Sequence, residues 1–298
     1  MRTIVAETVL GLALLASVGP AAAQDCGCVG ATRTFRWGDV ITESCTLNCD
    51  LEAVSDGTCF TVGTDGITID GGGFTISGDN HYYGIDVTGR SNVTIRNIGI
   101  SRFSSGINLA DSYYIEISDS VISDNGWWTG IDLHSCDHCT IAGNTMVGNG
   151  QGTNGRAILL GSASGTAITD NTLDASGNGI ILTTAVENTT IARNRVTNSD
   201  GDGIRLGLEA TGTVLEANTI CGSGDHDIEN AGTSNTGDYN ICGTTDGYDD
   251  TGASGCTYDC APPWIHDYDG NGTSDIAVFR GSAGMWFIGL SVRMWESP

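Results

Sequence analysis

The stretch GNGIILTTAVENTTIARNRVTNSDGDGIRL, residues 177–206, contains one short phrase twice, as GIIL at 179–182 and GIRL at 203–206. Variants of the phrase recur along the chain, and their shared Ile lies at positions 85, 107, 131, 158, 180, 204 and 228. The steps between these positions are 22, 24, 27, 22, 24 and 24 residues. A period in the low twenties is typical of a solenoid, and the apolar–polar alternation within each phrase indicates β-strands. We therefore predict that each repeat forms one turn of a coil.

Two further columns follow nearly the same steps. One is apolar and comprises Ile95, Ile117, Ile141, Ile168, Ile191 and Leu215. The other is polar and comprises Asn144, Asn171, Asn194 and Asn218. Stacked apolar columns can fill the interior of a coil, and stacked Asn side chains can bond from rung to rung. The fold class expected is all-β, a right-handed parallel β-helix, since parallel crossovers strongly prefer that hand.

The repeats also resemble a known family. The segments SNVTIRNIGIS, GNTMVGN, DNTLDASGNGIIL and GDGIRL are similar to repeats of right-handed parallel β-helix proteins of the NosD and pectate-lyase-like superfamily. The resemblance covers about residues 60–260, and the segments on either side resemble the disulfide-bearing caps of secreted members. It implies the fold, but such folds host lyases, hydrolases, epimerases and binding proteins alike.

Composition narrows the compartment and the partners. The net charge is −24, and all twelve basic residues are Arg, which argues against nucleic acid and anionic lipid as partners. Arg2, the apolar run Val9–Val18 and the small residues before Gln24 predict a signal peptide cleaved after Ala23, with no membrane insertion. Eleven Cys in an exported chain indicate disulfides, and the odd number requires at least one unpaired thiol. We expect a secreted, surface or periplasmic protein.

The predicted organisation has five parts. They are a signal peptide at 1–23, an N-terminal cap at 24–62, the parallel β-helix at 63–235, a disulfide-bearing cap at 236–262 and a short β unit at 263–298. In the last part, DYDGNGTSD places Asp267, Asp269, Asn271 and Asp275 at the spacing of a Ca²⁺ loop, with Gly272 at its sharp turn. This unit resembles a partial FG-GAP/VCBS repeat, which implies Ca²⁺ bound by those four side chains.

One outward face of the predicted coil combines carboxylates with aromatic rings. Strand alternation points Asp86, Asn108 and Asp132 outward in line, with His134 beside them. The preceding turns carry a set of aromatic residues that we call the ledge: Tyr82, Tyr83, Phe103, Trp127 and Trp128. A sugar ring can stack on such rings while carboxylates accept its hydroxyl groups. Arg156 ends the corresponding loop of the next turn and is added to the substrate-binding residues.

The same face admits catalytic and metal alternatives. Asp86 and Asp132 lie two rungs apart, about 9–10 Å, near the upper separation of an inverting glycosidase pair. The segment GIDLH, with Asp132 and His134, resembles the Asp-Pro-His core of alginate-type epimerases and lyases, with Leu133 in place of Pro. His134, Cys136, His138 and Cys139 form a dense set of zinc or copper donors, and the NosD resemblance implies copper. We do not expect a metal there, because C-x-x-C oxidises on export and Cys139 should point inward.

Three function classes remain open on the sequence. The first is binding of polysaccharide through the ledge, the second is a polysaccharide lyase, epimerase or glycoside hydrolase that uses the same face, and the third is a surface scaffold or adhesin without a small ligand. Our prediction is the first, because the aromatic residues and the polar column occupy the same three turns and disappear together afterwards.

Overall fold

The computed structural model describes residues 26–54, 56–126, 128–150, 154–260, 276–280 and 285–289. Within these ranges the regular structure consists of strands and turns. The described residues contain no helix of the length and apolarity needed to cross a membrane. The predicted signal peptide at 1–23 lies outside them.

Short strands stack into three long sheets, named here in the order in which one turn of the chain visits them. Sheet 1 contains, in spatial order, Asp39–Ile41, Phe60–Val62, Tyr83–Asp86, Ser105–Tyr113, Thr129–Asp137, Arg156–Gly161, Ile180–Leu182, Ile204–Leu206, Ile228–Asn230 and Thr245–Asp246. Sheet 2 contains Thr34–Phe35, Cys28–Gly30, Cys45–Leu47, Thr68–Asp70, Thr94–Arg96, Glu116–Ser118, Thr140–Ala142, Ala167–Thr169, Thr190–Ala192, Val214–Glu216 and Thr236–Asp238. Sheet 3 contains Leu51–Glu52, Thr75–Ser77, Gly99–Ser101, Val121–Ser123, Thr145–Val147, Thr172–Asp174, Arg195–Thr197, Thr219–Cys221 and Ile241–Cys242.

Strand pairing through the coil is parallel, as the repeat predicts. Each Ile of the first column pairs with the Ile one turn later, from Ile85 to Ile228, and all are fully buried. The second column, from Ile95 to Leu215, stacks in the same way in sheet 2. These columns form the core, which confirms the predicted parallel β-helix.

The Asn column forms a continuous hydrogen-bonded ladder. The Oδ1 of each Asn accepts the backbone N–H and the Nδ2 of the preceding Asn, at 2.9–3.1 Å from Asn144 to Asn218. The ladder continues to Asn240, whose backbone N–H and Nδ2 donate to the buried carboxylate of Asp250 at 2.9 and 2.7 Å. The side-chain amides therefore satisfy the buried backbone groups at the corner between sheets 2 and 3.

Disulfides hold both ends of the coil. At the N-terminal end, Cys28–Gly30 pairs antiparallel with its two neighbours, and the disulfides Cys26–Cys49 and Cys28–Cys45 close this cap. At the other end, the disulfides Cys221–Cys260 and Cys242–Cys256 fasten the final loops to the last turns. Such caps cover sheet edges that a solenoid otherwise exposes.

Cys59 carries the one free thiol that the odd cysteine count requires, and it is buried in the core. It does not join the disulfides of the cap, although it lies in the cysteine cluster at that end of the chain. Burial raises the pKa of this thiol, so the neutral form is favoured.

The C-terminal β unit is described only in part. Ile276–Arg280 pairs antiparallel with Met285–Gly289, which agrees with the strand-like sequence there. The Ca²⁺ loop predicted at Asp267, Asp269, Asn271 and Asp275 lies outside the described residues, and both that site and the predicted domain boundaries remain predictions.

Candidate functional site

The polar column on sheet 1 forms where the sequence predicts it. Asp86 pairs in register with Asn108, and Asn108 with Asp132, while the Ile residues beside them point into the core. All three polar side chains are half-buried on the outer face. Three acceptor-bearing groups therefore lie one rung apart, about 4.8 Å, along the coil axis.

Hydrogen bonds fix the first two members of this column. The Nδ2 of Asn108 donates to Asp86 Oδ1 at 2.9 Å and to Thr88 Oγ1 at 3.2 Å. The Thr88 hydroxyl and backbone N–H also donate to Asp86 Oδ1, at 2.6 and 3.2 Å. Asp86 is thus a positioned acceptor, and the amide of Asn108 lies between the two carboxylates that the hydrolase hypothesis requires.

Asp132 has a different environment. Burial raises the pKa of its carboxyl group, and the charges of His134 and Arg156 oppose that increase. His134 is exposed, and its Nδ1 lies 3.2 Å from the point where a Cβ on Gly161 would stand, so its ring extends over the next turn. Asp132 and His134 therefore lie on one face.

The turns that enter sheet 1 stack one above another and carry the aromatic residues. The backbone N–H of Ser104 donates to Tyr82 O at 3.0 Å, that of Trp128 to Ser104 O at 3.2 Å, and that of Arg156 to Trp128 O at 3.1 Å. Tyr82, Ser104 and Trp128 thus occupy one position on successive turns, and Arg156 pairs with Thr129, the residue after Trp128. Since Ser104 is small, a cleft of about 360 Å³ opens beside Tyr82 and Trp128, which are 50% and 62% exposed.

The other ledge residues have different outcomes. Tyr83 is half-buried at the start of its strand, and Trp127 lies outside the described residues. The prediction that Phe103 belongs to the outward ledge is wrong, because its side chain is 1% exposed and stacks on Trp37 with ring centroids 5.8 Å apart. Its backbone N–H donates to Asn125 Oδ1 at 3.0 Å in the turn after Arg102, which has a positive φ of 58°. That turn directs the ring inward, and residue type alone does not reveal the reversal.

A second, shorter Asn ladder lies in the turns between sheet 3 and sheet 1, next to the ledge. The Nδ2 of Asn125 donates to Asn149 Oδ1 at 2.9 Å, and both amides also bond buried backbone carbonyl groups. A Cβ on Gly130, which follows this corner, would lie 2.7 Å from Ala157 O and 3.1 Å from Asn149 Cγ. Glycine is thus required for the close approach of successive turns there. This ladder is not among the columns predicted from the sequence, although Asn125 and Asn149 are 24 residues apart, one period of the repeat.

The candidate zinc or copper donors, at which no metal was expected, lie apart or are bonded to each other. Cys136 and Cys139 form a disulfide with each other, and both are fully buried. His138 points outward and stacks on Tyr114, with ring centroids 5.2 Å apart. Across the ranges that the structure describes, no three His, Cys, Asp or Glu side chains group as a metal site. The C-x-x-C pair instead closes the corner between sheets 1 and 2, as oxidation on export would favour.

Residues 49–246 match the family model described as periplasmic copper-binding protein (NosD), which is about two thirds of the 298-residue chain. This chain belongs to the NosD family. The matched region begins in the N-terminal cap and ends in the last strand of sheet 1, so it includes every residue placed on the outer face of that sheet above. No curated protein matches the sequence.

Solved structures share the fold at low sequence identity. DFA-IIIase from Arthrobacter chlorophenolicus A6, in complex with GF2, is 14% identical with a TM-score of 0.54. The superposed region covers 63% of this chain and 53% of the DFA-IIIase chain. PfbA, a surface adhesin of Streptococcus pneumoniae, is 12% identical with a TM-score of 0.52 and covers 82% of this chain and 67% of its own. This NosD-family chain spans about half the length of the DFA-IIIase structures that it matches. At such identities the similarity shows the fold alone.

Proposed function

We propose that this protein binds polysaccharide on the outer face of sheet 1, at a surface that we call the binding face: Tyr82, Asp86, Asn108, Trp128 and Asp132. The observation that carries the proposal is the coincidence of two columns on the same turns. Tyr82 and Trp128 border an open cleft, and beside them Asp86, Asn108 and Asp132 present acceptors and an amide one rung apart. A sugar requires both an apolar platform for its ring and polar groups for its hydroxyls.

Repetition of the column favours a chain over a single sugar. Equivalent groups recur at about 4.8 Å along the coil, and the face spans three turns. A polymer that lies along the coil axis can contact several rungs at once, so weak contacts add within one ligand. We infer a secreted or surface location, which agrees with the five disulfides, since such bonds persist in oxidising compartments.

Binding should depend strongly on Trp128. About 62% of this side chain is exposed, or roughly 150 Å² if a Trp presents about 250 Å². A sugar that covers one ring face would bury about half of that area, which is worth about 2 kcal/mol, or roughly 30-fold in affinity. Trp128→Ala should show this loss on a glycan array followed by calorimetry on each hit, and Trp128→Phe should recover part of it.

The matched control is Tyr239→Ala, which removes another exposed aromatic ring from the corner between sheets 2 and 3. This variant should bind as the wild type does. Equal affinity of Trp128→Ala and the wild type for every glycan on the array would contradict the proposal.

An enzyme on the same face is the second candidate, and one observation favours it. Asp132 combines a raised carboxyl pKa with a nearby imidazole, His134, a pairing that proton transfer to or from a sugar could use. A product assay on each bound glycan separates the two functions. Turnover that His134→Ala abolishes without loss of affinity would favour the enzyme, whereas binding without product favours the binding protein.

Copper, which the family description names, does not fit the residues that the structure describes. The thiols that copper would prefer are not free to bind it: Cys136 and Cys139 form a disulfide, and Cys59 is buried in the core with a raised thiol pKa. We therefore assign no copper role to the outer face of sheet 1. The Ca²⁺ site at Asp267, Asp269, Asn271 and Asp275 remains a proposal from sequence, and loss of one calorimetric Ca²⁺ site in Asp269→Ala would support it.

A further inference from the structure

A second cleft lies on sheet 1, on the turns that follow Asp132. It has a volume of about 390 Å³, and its walls include Arg156, Ile181, Thr183, Arg205, Leu208 and Glu209. Ile181 is 5% exposed and lies at the base of the cleft, whereas Leu208 is 80% exposed at its rim. The cleft therefore combines an apolar surface with two guanidinium groups.

This cleft continues the binding face. In the outward column of sheet 1, Asp132 pairs with Leu159, Leu159 with Ile181, and Ile181 with Arg205. Gly161 lies beside this column, and a Cβ there would lie 3.2 Å from His134 Nδ1 and 3.1 Å from Thr183 Oγ1. His134, beside the binding face, and Thr183, in the wall of the second cleft, therefore approach each other at Gly161.

Arg156 joins the two clefts. Its backbone N–H donates to Trp128 O at 3.1 Å, and it pairs in register with Thr129, the residue that follows Trp128. Its side chain lines the second cleft, and its charge acts on the carboxyl group of Asp132. It is therefore the first residue of the second cleft that a chain leaving the aromatic rings would meet.

Within the described ranges, the guanidinium of Arg156 forms no ion pair. Other arginines form ion pairs, such as Arg205 with Glu229 at 2.9 Å and Arg193 with Asp170 at 2.7 Å. No acidic group in the described ranges lies within 4.0 Å of Arg156. The acidic residue in the cleft wall is Glu209, which accepts the backbone N–H of Ala185 at 3.2 Å, and Glu229 pairs with Arg205 one turn further along the coil. In a protein of net charge −24, the second cleft thus offers a local cation.

We propose that the polysaccharide is acidic and that its anionic group pairs with Arg156 in the second cleft. A guanidinium presents parallel N–H donors that match a carboxylate or a sulfate, and a neutral sugar cannot use that charge. The apolar surface of Ile181 and Leu208 then receives the sugar ring. This inference rests on the proposed function and specifies its substrate class. It also explains how a strongly acidic protein holds an anionic polymer, since attraction at close range offsets the repulsion of the distant, screened charges.

The test compares ligands that differ only in charge. Oligomers of galacturonate, mannuronate and glucuronate are titrated beside their methyl esters, and sulfated galactan oligomers beside their desulfated forms. The wild type should bind at least one acidic oligomer about tenfold or more tightly than its neutral counterpart. Arg156→Gln should lower the acidic affinity to about that of the neutral form, with a much smaller change in the neutral affinity, and Arg156→Lys should restore part of the acidic loss. The pair of series shows whether the group is a carboxylate or a sulfate.

Arg193→Gln is the matched control, because it removes an exposed arginine that already has a carboxylate partner. Arg193 directly follows a strand of sheet 2 and so lies away from sheet 1. It should bind as the wild type does. Equal wild-type affinity for acidic and neutral oligomers, or an equal loss of both in Arg156→Gln, would overturn the acidic assignment while the binding face stands. Absence of binding to any oligomer, neutral or acidic, would remove the proposed function and this inference together.

Discussion

Replacing Asn171 with Ala should destabilise the coil more than its small change in volume suggests. The Nδ2 of Asn171 donates to Ile141 O, Thr169 O and Asn194 Oδ1 at 2.9–3.0 Å, and its Oδ1 accepts the backbone N–H and Nδ2 of Asn144 at 2.9 and 3.0 Å. Five hydrogen bonds therefore disappear together, within a residue that is 1% exposed.

The expected loss follows from these bonds. Each of the five contributes about 0.5 kcal/mol at the low end of the usual range, chosen because water can enter the vacated space. The buried backbone N–H of Asn144 then lacks an acceptor, which costs about 1–3 kcal/mol more. We expect the free energy of unfolding to fall by about 3.5–5.5 kcal/mol.

The assay is urea denaturation followed by far-UV circular dichroism, with hydrogen exchange of the Asn144 amide as a local readout. The control is Thr172→Ala, which changes the neighbouring exposed residue in sheet 3 and should cost little. A loss below about 1 kcal/mol in Asn171→Ala, with unchanged exchange at Asn144, would refute the reasoning that the ladder carries a large share of the stability.

Three further predictions concern single positions. Burial raises the pKa of Asp132 in the folded state, so folding is penalised once the pH rises above the pKa of this carboxyl group in the unfolded chain, and the penalty is complete above its folded-state pKa. Asp132→Asn should therefore raise Tm at pH 7 and leave Tm unchanged near pH 3. A difference in Tm that does not depend on pH would contradict this. Gly130→Ala places a Cβ 2.7 Å from Ala157 O and should lower stability by about 1–3 kcal/mol in urea titrations, whereas wild-type stability would show that the turns separate freely. Cys59 is buried with a raised thiol pKa, so a thiol reagent should label it only after denaturation, and rapid labelling of the native protein would show that the core opens.

The core could be predicted because it repeats. Ile131 has the same neighbours as Ile107 and Ile158 one turn away, so any error in placing one column would have appeared at every turn. Period-two alternation then fixes which residues face outward, and this placed Asp86, Asn108 and Asp132 correctly. The parity of the cysteine count likewise required an unpaired thiol, although it could not single out Cys59 from the cluster around it.

The turns could not be predicted in the same way, because their direction depends on backbone conformation. Tyr82 has a positive φ of 55° and its own ring is exposed. Arg102 has a similar φ of 58°, and the ring of the next residue, Phe103, is buried in the core. The site of Arg156 was also visible only in part. Its place at the end of a loop was evident in the sequence, but its pairing with Thr129, next to Trp128, depends on a strand register that the loop length alone does not fix.

The Asn ladder gives the coil an electrical direction. Every side-chain amide from Asn144 to Asn240 points its Nδ2 toward the C-terminal end, so the amide dipoles add head to tail, with the positive end at the last turn. Asp250 lies at that end; burial raises its pKa, but hydrogen bonds from Tyr248 and Asn240 outweigh this and leave the pKa below its usual value. A carboxylate thus neutralises the positive end of a row of side-chain dipoles, as acidic residues do at the start of a helix. A turn inserted within the ladder would therefore lengthen the row of dipoles and leave Asp250 at its positive end.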